Sequence, residues 1–354
     1  MKLWKRASGA LMDRTSIFAS KLSRKTSYRN PDLQVAVIKA TSHNEDIVDY
    51  KNVQRVFQWL STSSSYSKPL IGAVSRRMDR TKSWVVALKG LMLIHGALRR
   101  KALQNIGRLP FDLSDFVDRR SGLEKAWCFN AFVRSYFSYL DQRFAVAGRE
   151  RSREARVLKN RLNESISIAQ ELLRLDELQT LLDKVLRVKP LTCEMMRYNL
   201  VTEAMDSLII EIFQIYGAIC DRLARVLVNI YASGRLEADM ALRILKRATV
   251  QGHKLSEYFE FCRRYGLMSA VEVPTVVEIP DEDIKELERI INGVPEKIVE
   301  MEVERRKDES ATVVLKTTVT QKWEVFEEDA KVRNNGGKEQ DMIAQVALPD
   351  LITF

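Results

Sequence analysis

Residues 199–230 read NLVTEAMDSLIIEIFQIYGAICDRLARVLVNI, and this stretch decides the fold class. Leu200, Leu208, Phe213, Ile215, Leu223, Leu227 and Ile230 recur at three-, four- and related spacings, with Glu211, Asp221 and Arg225 between them. That is the period of an amphipathic helix, not the alternation of a strand. The pattern spans about Glu194 to Ala232, and Gly234 stands where a glycine C-terminal cap is expected. Leu242, Leu245, Leu255, Phe259 and Cys262 carry the period on to Gly266, so two long antiparallel helices are expected.

Working upstream, the spacing predicts helices near 31–41, 51–61, 68–80, 84–104, 111–119, 125–147 and 155–188, joined by short polar links. Only 14 glycines and eight prolines punctuate 354 residues, so strong helix formers dominate. The expected fold is all-α: helices stacked in a superhelical solenoid without a detectable sequence repeat, a bundle being the alternative. Residues 1–292 are expected to form this domain. From 293 the character changes: 294–354 holds nine basic and 13 acidic residues with few large apolar side chains, an acidic, largely disordered and flexible tail. Within it, 312–320 is β-prone.

Fifty-seven Lys and Arg against 47 Asp and Glu leave a net charge of +10, which favours anionic partners. Nucleic acid is ranked last among them, because no aromatic platform interleaves with the cations. Cys128, Cys193, Cys220 and Cys262 are isolated, which fits a reduced, cytosolic compartment. No apolar run approaches the ~18–20 residues of a spanning helix. Lys2 is not a myristoylated glycine and Leu351-Ile-Thr-Phe354 has no prenylation cysteine, so any membrane contact is expected to be non-covalent.

His43, His95 and His253 are too scattered for a histidine-based metal site, and none of the common catalytic or nucleotide-binding motifs occurs. His95, within Leu91-Met-Leu-Ile-His95, reads as a core residue. No enzyme, cofactor or metal is expected.

Val37-Ile-Lys39-Ala-Thr-Ser-His43 resembles the K-A-T-x-H signature that opens ANTH domains of clathrin assembly proteins. Ser83-Trp-Val-Val-Ala-Leu-Lys89-Gly-Leu91 is similar to the family's S-W-V-V-x-x-K-x-L helix. Phe111-Asp-Leu-Ser-Asp-Phe-Val-Asp118 is similar to its F-x-L-S-x-F-x-D, and Phe132-Val-Arg-Ser-Tyr136-Phe-Ser-Tyr139-Leu140 to its F-[IV]-R-x-Y-x-x-Y-L. The segments agree in order and spacing, and their style is most like the short plant members. The resemblance implies a right-handed superhelix of helices. It also implies a peripheral adaptor that bridges phosphatidylinositol bisphosphate membranes to clathrin and adaptor machinery, with SNAREs as a further partner class. It places such a protein on the cytoplasmic face of clathrin-coated pits and vesicles, and at the Golgi. The alternative is a helical scaffold that binds SNARE or adaptor partners with little lipid specificity.

The same resemblance assigns a phosphoinositide-binding role to Lys39. Where the family continues with two further cations and a ring, this chain has Asp49, Lys51 and Asn52. Lys39, Lys51 and Asn52 are therefore the expected head-group residues, weakened by a carboxylate that repels phosphate. Residues 31–52 carry two cations against four acids, whereas 1–30 carry eight cations against Asp13 alone. Each cation near an anionic surface adds about 1 kcal/mol within a Debye length. Trp4, Leu11 and Phe18 recur every seven residues with Lys5, Arg6 and Asp13 off their face, the pattern of an interfacial helix. Trp4, Lys5, Arg6, Leu11, Lys21, Arg24 and Lys25 are the expected membrane-contacting residues. Arg76, Arg77, Arg80 and Lys82 form a further cluster that widens this footprint. In the tail, Trp323-Glu-Val-Phe326 followed by acids is similar to peptides that bind adaptor appendage domains, which makes Trp323 and Phe326 the expected partner contacts.

Overall fold

The computed structural model describes residues 2–22, 29–160, 167–230, 234–267 and 281–292. Arg24 and Lys25, the tail from 293, and with it Trp323 and Phe326, lie outside the described residues, as do the side chains of Trp4 and Lys5. Ten α-helices and two short 3-10 helices occur among the described residues, and no strand.

The helices are α1 (Lys2–Lys21), α2 (Pro31–Ala40), α3 (Tyr50–Thr62), α4 (Ser67–Arg80), α5 (Trp84–Arg99), α6 (Leu123–Asn160), α7 (Ile168–Val185), α8 (Asn199–Asn229), α9 (Arg235–Arg264) and α10 (Asp281–Asn292). They pack in a running order: α1 on α2, α2 on α3 and α4, α4 on α5, α5 on α6 and α8, α7 on α6, α8 and α9, and α10 on α9. From α2 onward the helices thus bury apolar side chains mostly against near neighbours in sequence, which is the α-solenoid.

Local chemistry sets the boundaries. Asn30 accepts from the Asp32 and Leu33 amides and Pro31 opens α2, an N-cap followed by a proline at the first position. Asp49 caps α3 and Ser167 caps α7 in the same way. Gly266, at φ +66°, follows the last turn of α9, a left-handed conformation that glycine adopts without cost.

The most enclosed element is α5. Trp84 stacks on Phe129 at 3.8 Å between centroids, with Tyr198 edge-on to both. His95 is buried, its Nδ1 2.8 Å from the Tyr136 hydroxyl. The His95 Nε2 lies 3.5 Å from Glu211 Oε2, while Arg143 Nε donates to Oε1 at 2.7 Å. Burial pushes the Glu211 carboxyl up, but His95 and Arg143 more than offset it and hold the group at about 2.

Four sequence expectations need correction. Residues 111–119 are not helical: Asp112 accepts from the Ser114 amide and Asn130 accepts from that of Asp118, side-chain bonds that compete with helix while Phe111, Leu113 and Phe116 stay buried. Helix α5 stops at Arg99, ahead of Lys101 at φ +58°. A continuous α6 replaces the expected break between 147 and 155. Gly234 is extended at the N-cap of α9 rather than left-handed after α8.

Candidate functional site: a basic cleft beneath the first helix

Helix α1 docks by an unusual face. Gly9 and Ser20 are buried and Asp13 and Ser16 half-buried, a stripe of small and polar residues at helical spacing. Leu11, Phe18 and Leu22 point outward at 64%, 68% and 71% exposure. A soluble helix normally does the reverse. Gly9 permits the approach: a Cβ there would lie 2.7 Å from the Cβ of His43. Ser16 and Ser20 return their hydroxyl protons to carbonyls one turn back, so they add no unpaired donor to the interface.

Asp13 is the anchor. Its Oδ2 accepts from the His43 amide at 2.9 Å, and its Oδ1 lies 2.9 Å from His43 Nδ1 and 2.5 Å from Arg77 Nη2. Arg77 also donates to the Thr41 carbonyl at 2.9 Å. Burial pushes the Asp13 carboxyl up, yet these donors outweigh it and hold the group below its ordinary 3.8. The K-A-T-x-H segment therefore receives α1 directly through His43, while Thr41 holds the Arg77 that pairs with Asp13. Beneath it, Lys89, 3% exposed, donates to the carbonyls of Asn44 and Ile47, each at 2.7 Å. Burial lowers the Lys89 ammonium to about 8.

Beside this anchor, α1, α2 and α4 enclose a cavity of about 720 Å³. Arg29, Arg76, Arg77, Arg80, Lys82 and the Arg119–Arg120 pair line it, and no carboxylate does. Among the described residues, only Arg77 of these seven forms an ion pair. Arg76, Arg77 and Arg80 come from the last turns of α4. Asp118 brings in the other pair: its carboxylate accepts from the Arg120 and Ser121 amides, and the Arg119 amide bonds the Lys82 carbonyl. The F-x-L-S-x-F-x-D segment thus folds as a turn that places two arginines at the cleft. Gln34, its amide oxygen facing them, accepts from Arg29 Nε at 3.2 Å and Arg76 Nη2 at 2.7 Å. Burial and the nearby Arg29 and Arg80 charges depress the Arg76 guanidinium below its ordinary value.

The residues expected from sequence fall elsewhere. Lys39 is exposed in the last turn of α2, and Lys51 in the first turn of α3. Asn52 gives one of its two side-chain N–H donors to Asp49, whose Oδ2 lies 2.7 Å from its Nδ2. Asp49 stands where the resemblance leads one to expect a cation because it caps α3, accepting from the Asn52 amide at 3.1 Å. Leu11 and Lys21 are exposed, and Arg6 pairs with Asp46 at 2.6 Å on the surface. The sequence singles out Arg76, Arg77, Arg80 and Lys82 as one cluster and Arg29 among the N-terminal cations, but gives no sign that they meet, and Arg119 and Arg120 were missed. The dipeptide after Asp118 was the available signal.

The ANTH domain model matches residues 32–293. The chain is 45% identical to "Putative clathrin assembly protein At1g25240" of Arabidopsis thaliana, over the whole of both chains. It is 44% identical to the similarly named At1g68110, across 93% of this chain and 89% of that protein. Against At1g14686, also from Arabidopsis thaliana, identity is 40% across 84% of each.

Proposed function

This chain belongs to the ANTH-domain family, and from that premise we propose that it is a non-enzymatic peripheral membrane adaptor in clathrin-coated vesicle assembly. It seats its N-terminal end on membrane containing phosphatidylinositol bisphosphate. The observation that carries the membrane part is the inverted face of α1, with Leu11, Phe18 and Leu22 outward above a cleft lined by cations. Apolar side chains at the headgroup boundary and positive charge beneath them are the two ingredients of interfacial binding. Among the described residues no helix is long and apolar enough to cross a membrane.

The clathrin part rests on the relatives' names together with the family. Lys39 and Lys51, on α2 and α3, stand in a stretch that also carries Asp32, Glu45, Asp46 and Asp49, so they add little net positive charge. Clathrin and adaptor appendage domains are the partners this reading supplies, and coated pits and vesicles the place.

Co-sedimentation of the full chain with vesicles tests it. Binding that rises when phosphatidylinositol bisphosphate is added to neutral lipid is expected, together with recovery of clathrin from solution onto those vesicles. Equal sedimentation with neutral lipid sinks the membrane reading. Partner capture without any vesicle binding favours a scaffold instead.

A further inference from the structure

We propose that Ser152 of α6 is a phosphorylation site for an arginine-directed serine kinase, and that Arg108, Arg149 and Arg151 hold the phosphate it gains. The three arginines line a cavity between α6 and the segment that follows α5. This cavity shares no lining residue with the cleft beneath α1.

The first argument is recognition and access. Residues 148–156 read GRERSREAR, which puts arginines one and three residues ahead of Ser152 and one behind it. A kinase selects its serine largely by complementary charge on the neighbouring side chains, and this pattern fits a substrate groove lined by carboxylates. Ser152 is exposed, its Oγ donating to the Gly148 carbonyl at 2.8 Å. A kinase takes its substrate extended, so the helix must open here. No residue from 148 to 156 is buried, and none carries a large apolar side chain. That composition is also why the spacing predicts a break between 147 and 155. Ion pairs from Arg149 and Arg153 to Glu177, at 2.8 and 3.1 Å, tie this part of α6 to α7. A segment held by partly exposed ion pairs instead of apolar burial opens locally at low cost.

The second argument is the receiving site. The cavity measures about 580 Å³, and no carboxylate lines it. Two glycines bring its walls together: a Cβ on Gly148 would lie 3.1 Å from the Gly107 Cα. Asp141 sets the far wall, accepting from the Leu109 amide at 3.1 Å and pairing with Arg108. Arg149 is paired with Glu177, whereas among the described residues Arg151 has no ion-pair partner. A phosphate on the Ser152 Oγ presents three acceptor oxygens to guanidinium forks on its own helix and across the cavity. Arg149, three residues before Ser152, shares its helix face. Modification thus turns an open basic notch into a charge-matched contact between α6 and the segment after α5.

The step is a phosphoryl transfer from a nucleoside triphosphate bound to the kinase. The Ser152 Oγ attacks the γ-phosphorus, forming an O–P bond, while the bond from that phosphorus to the β,γ-bridging oxygen breaks. Nucleoside diphosphate leaves, and the hydroxyl proton passes to the carboxylate base of the kinase. Nothing is oxidised or reduced.

The full chain is incubated with magnesium ATP and the catalytic subunit of a cyclic-AMP-dependent kinase, and peptide mapping by mass spectrometry locates the phosphate. Phosphate on Ser152 is expected, with the rate at that residue about tenfold lower or less in Arg149→Ala/Arg151→Ala. Phosphate found only on other residues overturns the site. Modification of a peptide spanning 146–158 but not of the folded chain shows that α6 stays closed, and overturns it equally. Phosphorus NMR of the modified chain then reads the receiving cavity. A free phosphoserine takes its second proton at about pH 6, and the arginines should lower that value by about 0.5 or more. Arg108→Ala lies outside the stretch the kinase reads, so it should leave the modification rate unchanged and return the titration toward the free value. A titration that is unshifted, or that Arg108→Ala leaves where it was, overturns the cavity's part in the proposal. Circular dichroism checks the fold of each variant, and Arg108→Gln repeats the comparison if the alanine variant misfolds.

Discussion

Asp13 on α1 and Arg77 on α4 meet at 2.5 Å, with both side chains largely buried, and this pair fixes the first helix to the solenoid. Almost everything else α1 presents to the domain is small or hydroxylated, so little apolar area holds it down. The ion pair and the two bonds from His43 must then supply most of the docking energy. Asp13→Asn keeps the shape but removes the charge, and breaking a buried pair from one side typically costs about 3–5 kcal/mol. Amide exchange in α1 should accelerate by orders of magnitude while α5 and α8 keep their protection.

The pH dependence of the same contact has a definite sign. The folded Asp13 carboxyl lies below 3.8, so its contribution is fully present above that value and is lost as pH falls through the folded pKa. Acidification from pH 5 toward 3 should therefore loosen α1 first. Asp13→Asn should lack that component, and equal acid sensitivity of α1 exchange in the two proteins would refute it.

Gly9 sets a second, steric limit. An alanine there gains about 1 kcal/mol of helix propensity, but its Cβ would meet the His43 Cβ at 2.7 Å, with no flexible end to yield. Overpacking of this kind costs about 1–3 kcal/mol. Gly9→Ala is expected to undock α1 partially, seen as faster exchange, although the isolated helix becomes more stable.

Lys89 ties the loop after α2 to the central helix. Lys89→Met would leave the Asn44 and Ile47 carbonyls without their donor, at about 1–3 kcal/mol for each group that stays dry. A drop in melting temperature of several degrees is expected. Because the folded ammonium sits near 8 and the unfolded one near 10.5, the unfolded chain binds the extra proton between those values. The contribution of this group to stability therefore rises with pH from about 8 to 10.5, and the difference between wild-type and Lys89→Met stability should show that slope.

Much of the fold was legible because helical periodicity is a local property. Leu208, Ile215 and Ile219 declare α8 without help from the rest of the chain. Where the reading failed, a side chain competed with the backbone: Asp112 and Asn130 turned an expected helix into an ordered loop. The candidate site was half legible. Arg76, Arg77, Arg80 and Lys82 stand together in sequence, but Arg29 and Arg119 join them only through tertiary packing, which no spacing announces. Likewise Asp49 read as a defect in a head-group motif, while the structure gives it the ordinary work of an N-cap. Asp13 read as a lone acid among cations and proved to be the residue that orients the helix.

The outward face of α1 gives the sharpest separation of stability from function. Leu11 and Phe18 are 64% and 68% exposed, so replacing both by serine removes little that the folded protein buries. Surface changes of that kind stay within about 0.5 kcal/mol. If these side chains enter the headgroup boundary, each contributes on the order of 1.5–3 kcal/mol of transfer free energy. Leu11→Ser/Phe18→Ser should then weaken vesicle binding by about a hundredfold or more, with the melting temperature unchanged. Vesicle affinity that survives the double replacement would mean that α1 holds its apolar stripe outward for a protein partner, and that charge alone carries the chain to the membrane.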